Sequence, residues 1–447
     1  MNPLVRIFLL LSLFAFSLTN SNAQEGWSLE QCIGYAIENN IQVKQQELSI
    51  KMNENTFSQS KYSHLPNLNA TASHSYNFGR AIDYGSNTVS NDLSSSGLTL
   101  SSSVALFNGF QITNTRKKEY INLQASISDI EKLKNSISLN IASAYLQILF
   151  YEELVETNRK QVELSKLQKE RTSILVNAGS LPEGNIYEIE AQLASDELQL
   201  VNAQNQLEMA YLLLVQMLDL KSAENFRIQK PNLQGFDETI PTDSPVSLFE
   251  QSQQFLPQIK SAQLRVSSAE KGFAIAKGGY FPRLTLNGTY NSGVRMFLKE
   301  PASLTNEPFM DQFKQNASYS VGLSLTIPIF NAMQVRSSVS NARINTDMAR
   351  LNLENEKNIL FKEIQQASTD ALAALKKYYA TTKSLSALQE SFRYTEQKFG
   401  LGMVTTLDYT TAKTRLAKAE TELLQSKYDF IFKTKILDFY KGNPIKL

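Results

Sequence analysis

The chain is written twice, at an offset of 223 residues. Leu106-Phe107-Asn108-Gly109-Phe110-Gln111 returns as Ile329-Phe330-Asn331-Ala332-Met333-Gln334, Gln192-Leu193-Ala194 with Glu197 returns as Arg415-Leu416-Ala417 with Glu420, and Gly179 returns as Gly402. From Phe107 to Gly179 and from Phe330 to Gly402 the distance is 72 residues in both cases. Loops tolerate insertions, whereas one extra residue in a long packed helix rotates every later side chain off its face. The repeated quantity is therefore a helix length, and 72 residues of helix span roughly 108 Å.

Residues 1–23 carry one early charge, Arg6, then an apolar run from Ile7 to Leu18 and a small-x-Ala site at Ser21-Asn22-Ala23. The pattern is that of a secretory leader cut before Gln24, with a buried N-terminal helix as the competing reading. Removing the leader removes Arg6 and leaves 43 basic against 43 acidic residues, which gives nucleic acid nothing to bind. Cys32, the only cysteine, follows Glu30-Gln31 rather than small apolar residues, so neither a disulfide nor a lipid anchor is expected. Beyond the leader no apolar run approaches the ~18 residues of a membrane helix, so any membrane crossing is made by strands.

Each half opens with a helix start. Ser28-Leu29-Glu30-Gln31 and Ser247-Leu248-Phe249-Glu250 both read as capping boxes. Helices of about 35 residues are expected to follow, matched at a second offset of 216 through Gln42-Val43-Lys44 and Gln258-Ile259-Lys260, and to end at Pro66 and Pro282. The period then changes to two. Leu68, Ala70, Ala72, His74 and Tyr76 alternate with Asn and Ser or Thr, as do Leu284, Leu286, Gly288 and Tyr290; a second strand follows through Leu98 to Leu106 and through Val321 to Ile329. Each run is about ten residues with a charge-free core, the length and alternation of a membrane-crossing strand. The alternative is a soluble sheet with one buried face, but soluble strands usually carry Lys or Glu on the wet face. The joining segments, 79–96 and 294–319, are long and rich in Asn, Ser and Gly, as outer loops of barrels are.

Ile130, Ile137, Ile141 and Ala144, repeated as Leu353, Leu360, Ile364 and Ala367, form a coiled-coil style seam on the long helices. Glycine-bearing turns at 178–185 and 399–407 break them, and shorter amphipathic helices return to Asp219 and Asp438. The expected order is leader 1–23, first-repeat helix 24–65, transmembrane hairpin 66–107, long helical hairpin 108–219, linker 220–246, second-repeat helix 247–281, transmembrane hairpin 282–330, long helical hairpin 331–442 and tail 443–447. Four strands cannot close a barrel, and lipid does not tolerate open strand edges. Three copies give twelve strands, closed by one repeated interface. The fold class is thus an α+β membrane protein, a trimeric twelve-stranded transmembrane β-barrel (four strands per chain) continued by a long α-helical coiled-coil barrel.

With Ala36-Ile37-Glu38-Asn39-Asn40, Pro328-Ile329-Phe330-Asn331, Phe399-Gly400-Leu401-Gly402 and the duplicated order, essentially the whole mature chain resembles the TolC-type outer membrane efflux proteins. The resemblance implies a homotrimer in outer-membrane lipid, extending into the periplasm. It further implies a passive exit duct of a tripartite pump or type I secretion system, met by a periplasmic adaptor and an inner-membrane transporter. It places the adaptor-docking tip turns at Gly179, Leu181, Gly402 and Val404. The pore constriction falls at Asp408, with Asn185 its equivalent in the first half, Glu188 one turn on, and Thr411 where the family's archetype has a second aspartate. Val404 also departs from that archetype, which has a basic tip residue there. Apart from the resemblance, Asp408 reads as a carboxylate at a helix N-terminus, favoured by the dipole.

No catalysis is expected. His64 and His74 lack cysteine or carboxylate partners at metal-ligand spacing, and there is no nucleophile elbow and no phosphate loop, so no cofactor is implied. The alternative to a duct is a periplasmic coiled-coil scaffold or adaptor that never enters lipid.

Overall fold

The computed structural model describes residues 26–79, 81–83, 88–90, 92–222, 226–231, 244–298 and 305–447. The expected leader and much of the expected linker lie outside them. In chain order the elements are α1 (Leu29–Asn39), α2 (Ile41–Tyr62), β1 (Asn67–Asn77), β2 (Ala81–Asp83), β3 (Thr88–Ser90), β4 (Leu93–Asn108), α3 (Gln111–Asn177), α4 (Gly184–Met217), α5 (Pro245–Phe255), α6 (Pro257–Gly278), β5 (Arg283–Phe297), α7 (Phe309–Gln315), β6 (Ser318–Thr326), α8 (Gln334–Gly400) and α9 (Thr406–Tyr440). The two long helices are each 67 residues, and both of their ends are related by the 223-residue offset. Two compact units result, each assembled from both repeats: Met1–Gln46, Ile130–Leu256 and Lys357–Leu447 form one, Glu47–Asp129 and Pro257–Glu356 the other.

The second unit holds an antiparallel sheet in the order β1-β4-β5-β6. Its centre joins the two repeats, since β4 pairs with β5 along almost its whole length, Leu100 opposite Tyr290 and Thr99 opposite Asn291. The register sorts the side chains by chemistry. One face carries the rungs Ala70–Leu100–Tyr290–Tyr319 and Val104–Leu286–Leu323, the other Asn69–Ser101–Thr289–Ser320 and Thr71–Thr99–Asn291–Ser318. On the polar face Thr99 Oγ1 donates to Asn291 Oδ1 at 2.9 Å; on the apolar face the rings of Tyr290 and Tyr319 are 5.0 Å apart. Strands β1 and β6 are the edges, and every residue of both is exposed. In the same unit α6 is tied to α3 by Ser261 and Arg265 to Asp129, at 2.6 and 2.8 Å, and to α8 by Arg350 to Glu270 at 3.0 Å.

The two central strands outrun the expected ten residues, β4 with 16 and β5 with 15, whereas β6 has 9 and ends at Thr326, short of the expected Ile329, because Pro328 cannot donate to the ladder. Ser94, Ser95 and Ser96, read from sequence as loop, pair with β1 on one side and β5 on the other, because ladder bonds use the backbone and do not require apolar side chains. The segment expected as one loop at 294–319 likewise contains the end of β5 and the helix α7.

Each opening helix, expected continuous, is interrupted. Asn40 (ψ 129°) separates α1 from α2, and Leu256 (ψ 128°) separates α5 from α6; the two positions are related by the 216-residue offset. The same break is made by different chemistry. Pro257 drives Leu256 out of the helical region, whereas Asn40 caps the next helix through Oδ1, which accepts from Gln42 N at 2.8 Å. The Ser28 capping box is present, with Gln31 Oε1 accepting from Ser28 N at 2.9 Å. The box expected at Ser247 is not. Helix α5 starts one turn earlier, at Ser244 with Pro245 in its first turn, and Ser247 supplies the backbone N–H that Ser244 caps at 3.1 Å.

A tight left-handed turn of the backbone launches both long helices. Gly109 and Phe110 (φ 63° and 63°) precede α3, and Ala332 and Met333 (φ 48° and 64°) precede α8. Gly109 is required doubly, because a Cβ there would meet Gly278 O at 2.3 Å.

In the first unit the seam residues Ile137, Ile141 and Ala144 of α3 and Leu360, Ile364 and Ala367 of α8 are buried. The segment before α1 is clasped against residues 227–229: Trp27 N donates to Arg227 O at 2.8 Å, Gln229 N donates to Trp27 O at 2.9 Å, and buried Tyr145 of α3 places its hydroxyl 2.6 Å from Gln229 O. Gly26 fits there because a Cβ would meet Ile228 C at 2.5 Å.

Candidate functional site

The site lies in the first unit, where α3 turns into α4 and α8 turns into α9. Both long helices end in the same way. Gly179 (φ 72°) and Gly402 (φ 71°) take the left-handed conformation; Gly179 N donates to Val176 O at 2.9 Å and Ser180 N to Leu175 O at 2.8 Å, while Gly402 N donates to Phe399 O at 3.0 Å and Met403 N to Lys398 O at 2.9 Å. Last-turn carbonyls that would otherwise lack partners are thereby satisfied, and any residue with a Cβ would be strained at either glycine.

Five of the eight expected site residues line one cleft of about 560 Å³: Leu181, Asn185 and Glu188 from the first turn, Gly402 and Val404 from the second. Arg171 crosses it, a guanidinium nitrogen lying where a Cβ on Gly400 would be 3.1 Å away. Gly179, Asp408 and Thr411 are exposed outside the cleft lining.

Asp408 is the third residue of a complete capping box. Its Oδ2 accepts from Thr405 Oγ1 at 2.7 Å and from Thr405 N at 3.1 Å, and its own N–H donates to Thr405 Oγ1 at 3.1 Å. The Thr405 hydroxyl, and after it the Thr405 amide, hold the Asp408 carboxyl below the usual carboxylate range. The first turn has no equivalent, since Glu183 precedes α4 without any side-chain cap. Next to Asp408 in α9, Tyr409 stacks on Phe399 at 4.7 Å and packs on Phe392 at 5.5 Å, and burial pushes its hydroxyl up to about 12.

Beyond the cleft lies a polar lock that sequence reasoning missed. Lys413 of α9 is buried and donates to Asp196 Oδ2 of α4 at 2.8 Å, to Gln161 O of α3 at 3.2 Å and to Ser165 Oγ. Ser165 in turn donates to Asp196 Oδ2 at 2.5 Å, and Gln192 Nε2 donates to Asp196 Oδ1 at 2.8 Å. All three ammonium protons and both carboxylate oxygens have partners, which is the condition for keeping such a pair out of water. A signal existed: Ile189, Asp196, Ala203 and Ala210 recur every seven residues and are all buried, so a charge stands on a seam position.

Among the described residues no three His, Cys, Asp or Glu gather to hold a metal, and no helix is long and apolar enough to cross a membrane. His74 Nδ1 is 2.8 Å from Ser96 Oγ, and Cys32 is a buried free thiol.

The sequence signature of the Outer membrane efflux protein family matches residues 32–219 and 248–432, one match for each repeat. The chain belongs to the outer membrane efflux protein family. It is an outer membrane efflux protein, which sets aside the scaffold or adaptor reading. It is 23% identical to Outer membrane protein TolC of Vibrio cholerae over 367 residues, 82% of this chain and 80% of that protein, and 23% identical to Outer membrane protein TolC of Escherichia coli, over 82% and 72%. Among solved structures it is similar in fold to CusC (TM-score 0.78, 18% identity, 96% of each chain) and to the CmeC outer membrane channel of Campylobacter jejuni (TM-score 0.77, 20% identity, 94% of this chain and 86% of that one).

Proposed function

We propose that this outer membrane efflux protein works as a homotrimer whose three sheets close into one twelve-stranded barrel, with the helical hairpins as the periplasmic part of the duct. The observation that carries the reading is the pair of open, fully exposed edges β1 and β6 on a charge-poor sheet with one apolar face. Lipid leaves such edges no partner except another strand, and a cyclic assembly supplies β6 of one copy to β1 of the next.

In this reading the apolar rungs meet lipid and the Asn, Ser and Thr rungs face the lumen. The tip turns at Gly179, Leu181, Gly402 and Val404 dock a periplasmic adaptor, which links the duct to an inner-membrane transporter. The cleft that unites Leu181, Gly402 and Val404 supports a docking role. Asp408, Glu188, Asn185 and Thr411 line the constriction. Asp408 and Glu188 are exposed, as a ring of pore carboxylates requires, although Asp408 is also a helix cap.

The mass of the detergent-solubilised particle tests the assembly. Three times the chain mass is expected, and a monomer would contradict it.

A further inference from the structure

The stretches joining sheet to helices carry a charge pattern that the duct does not use. They are residues 55–66 before β1, 108–118 after β4, 271–283 up to β5 and 327–346 after β6, and all belong to the second unit. Together they hold nine basic residues, Lys61, Arg116, Lys117, Lys118, Lys271, Lys277, Arg283, Arg336 and Arg343, and no Asp or Glu. The whole chain, by contrast, has 44 basic and 43 acidic residues. The first acids come only at Glu54, Glu119, Glu270 and Asp347, at the far ends of these stretches. Along each helix the basic residues lie within roughly 15 Å of the helix end that leads to the sheet.

These charges are available. Seven of the nine are exposed, and among the described residues only Lys118 is ion-paired, with its neighbour Glu119 at 3.7 Å. They are interleaved with exposed apolar and aromatic groups: Tyr62, Phe110, Tyr280, Phe281 and Phe330, the last 83% exposed. Lys61 and Lys277, related by the 216-residue offset, each lay the ammonium 4.3 Å from the centroid of a phenyl ring, Phe57 and Phe273. Aromatic rings beside long cations, at the end of an apolar strand face, are what a bilayer interface selects: rings sit at the headgroup level and the cations reach phosphate.

We propose that this collar binds the headgroups of anionic phospholipids in the leaflet on the helical side of the membrane. The proposal rests on the reading that the sheet spans the bilayer. The phosphodiester is the ligand; the collar supplies diffuse attraction, stronger for phosphatidylglycerol than for a zwitterionic lipid of the same chains.

The test uses the full-length protein in phosphatidylcholine bilayers carrying trace spin-labelled phosphatidylglycerol or spin-labelled phosphatidylcholine. The motionally restricted fraction measures association, and conductance is recorded in the same lipid. At low salt phosphatidylglycerol should associate several-fold more strongly, and in 1 M NaCl, where screening acts over about 3 Å, the ratio should fall to about one. The variant Arg116→Gln/Lys117→Gln/Arg336→Gln/Arg343→Gln should lose the preference, whereas Lys166→Gln/Lys169→Gln/Arg393→Gln/Lys418→Gln, with as many charges removed elsewhere, should keep it. A conducting wild-type protein with no preference at low salt overturns the collar and leaves the duct standing. So does a collar variant that changes ion selectivity but keeps the lipid preference, because its charges then line the lumen. A wild-type protein that forms no channel removes the duct reading, and the collar with it.

Discussion

The ammonium of Lys413 lies 2.8 Å from the carboxylate of Asp196, with both side chains more than 90% buried, and so joins the returning helix of one hairpin to the returning helix of the other. Most other ion pairs among the described residues have at least one exposed partner and are worth little. This one stands apart because removing either partner strands the other away from water.

Asp196→Ala or Lys413→Ala should therefore destabilise the protein by about 3–5 kcal/mol. The joint replacement Lys413→Met with Asp196→Leu should cost much less, because two apolar groups leave no stranded charge. The exposed pair Arg350 and Glu270 is the control, and its loss should cost at most about 1 kcal/mol. Denaturant titration followed by helix circular dichroism checks all three, and equal losses at the buried and exposed pairs would contradict the lock.

At the launch of the long helices the two repeats solve one problem with unequal means. Gly109→Ala should be destabilising, because its Cβ would overlap Gly278 O. Ala332→Gly should instead stabilise by about 1 kcal/mol, since Ala332 holds a left-handed backbone (φ 48°) that costs an L-residue roughly that much. Thermal melting of the two variants should move in opposite directions.

Asp408 separates cap from gate. Its native pKa is depressed below the ordinary 3.8 of the unfolded chain, so its contribution to stability is present above that value and is lost as pH falls through the native one. Thr405→Ala breaks the capping box yet keeps the charge; Asp408→Ala removes both. If Asp408 lines the constriction, only Asp408→Ala raises single-channel conductance and weakens block by multivalent cations. If the two variants behave alike, the carboxylate serves the helix alone.

How far the sequence could be read depended on whether a feature is periodic. The 223-residue offset located the tip glycines Gly179 and Gly402, because turns at the ends of rigid helices cannot drift, whereas it aligned Gly109 with Ala332 without revealing that both stand in left-handed turns. The interruptions at Asn40 and Leu256 were lost beneath a helical pattern that resumes within one residue, although Pro257 marks the second plainly. Ser247 was misread because any serine before an acid imitates a cap, and only the preceding Ser244-Pro245 decides which one starts the helix. Pairing of Ser94 to Ser96 is a tertiary fact, set by strands some 20 and 200 residues away. At the candidate site the tip glycines were legible, whereas the convergence of Lys413, Ser165 and Asp196 required the packing of three helices.

Pairing of β6 of one copy with β1 of the next is open to direct measurement by cross-linking. Within one chain β4 and β5 lie between these edges. Thr71→Cys on β1 should be combined in turn with cysteines at residues 318–326 of β6, and the protein oxidised in intact outer membranes. Buried Cys32 is the only native thiol, so it offers no competing partner at the surface. Disulfide-linked dimers and trimers are expected, for cysteines at one register of β6 and abolished by reductant. Monomer alone at every β6 position would contradict the pairing.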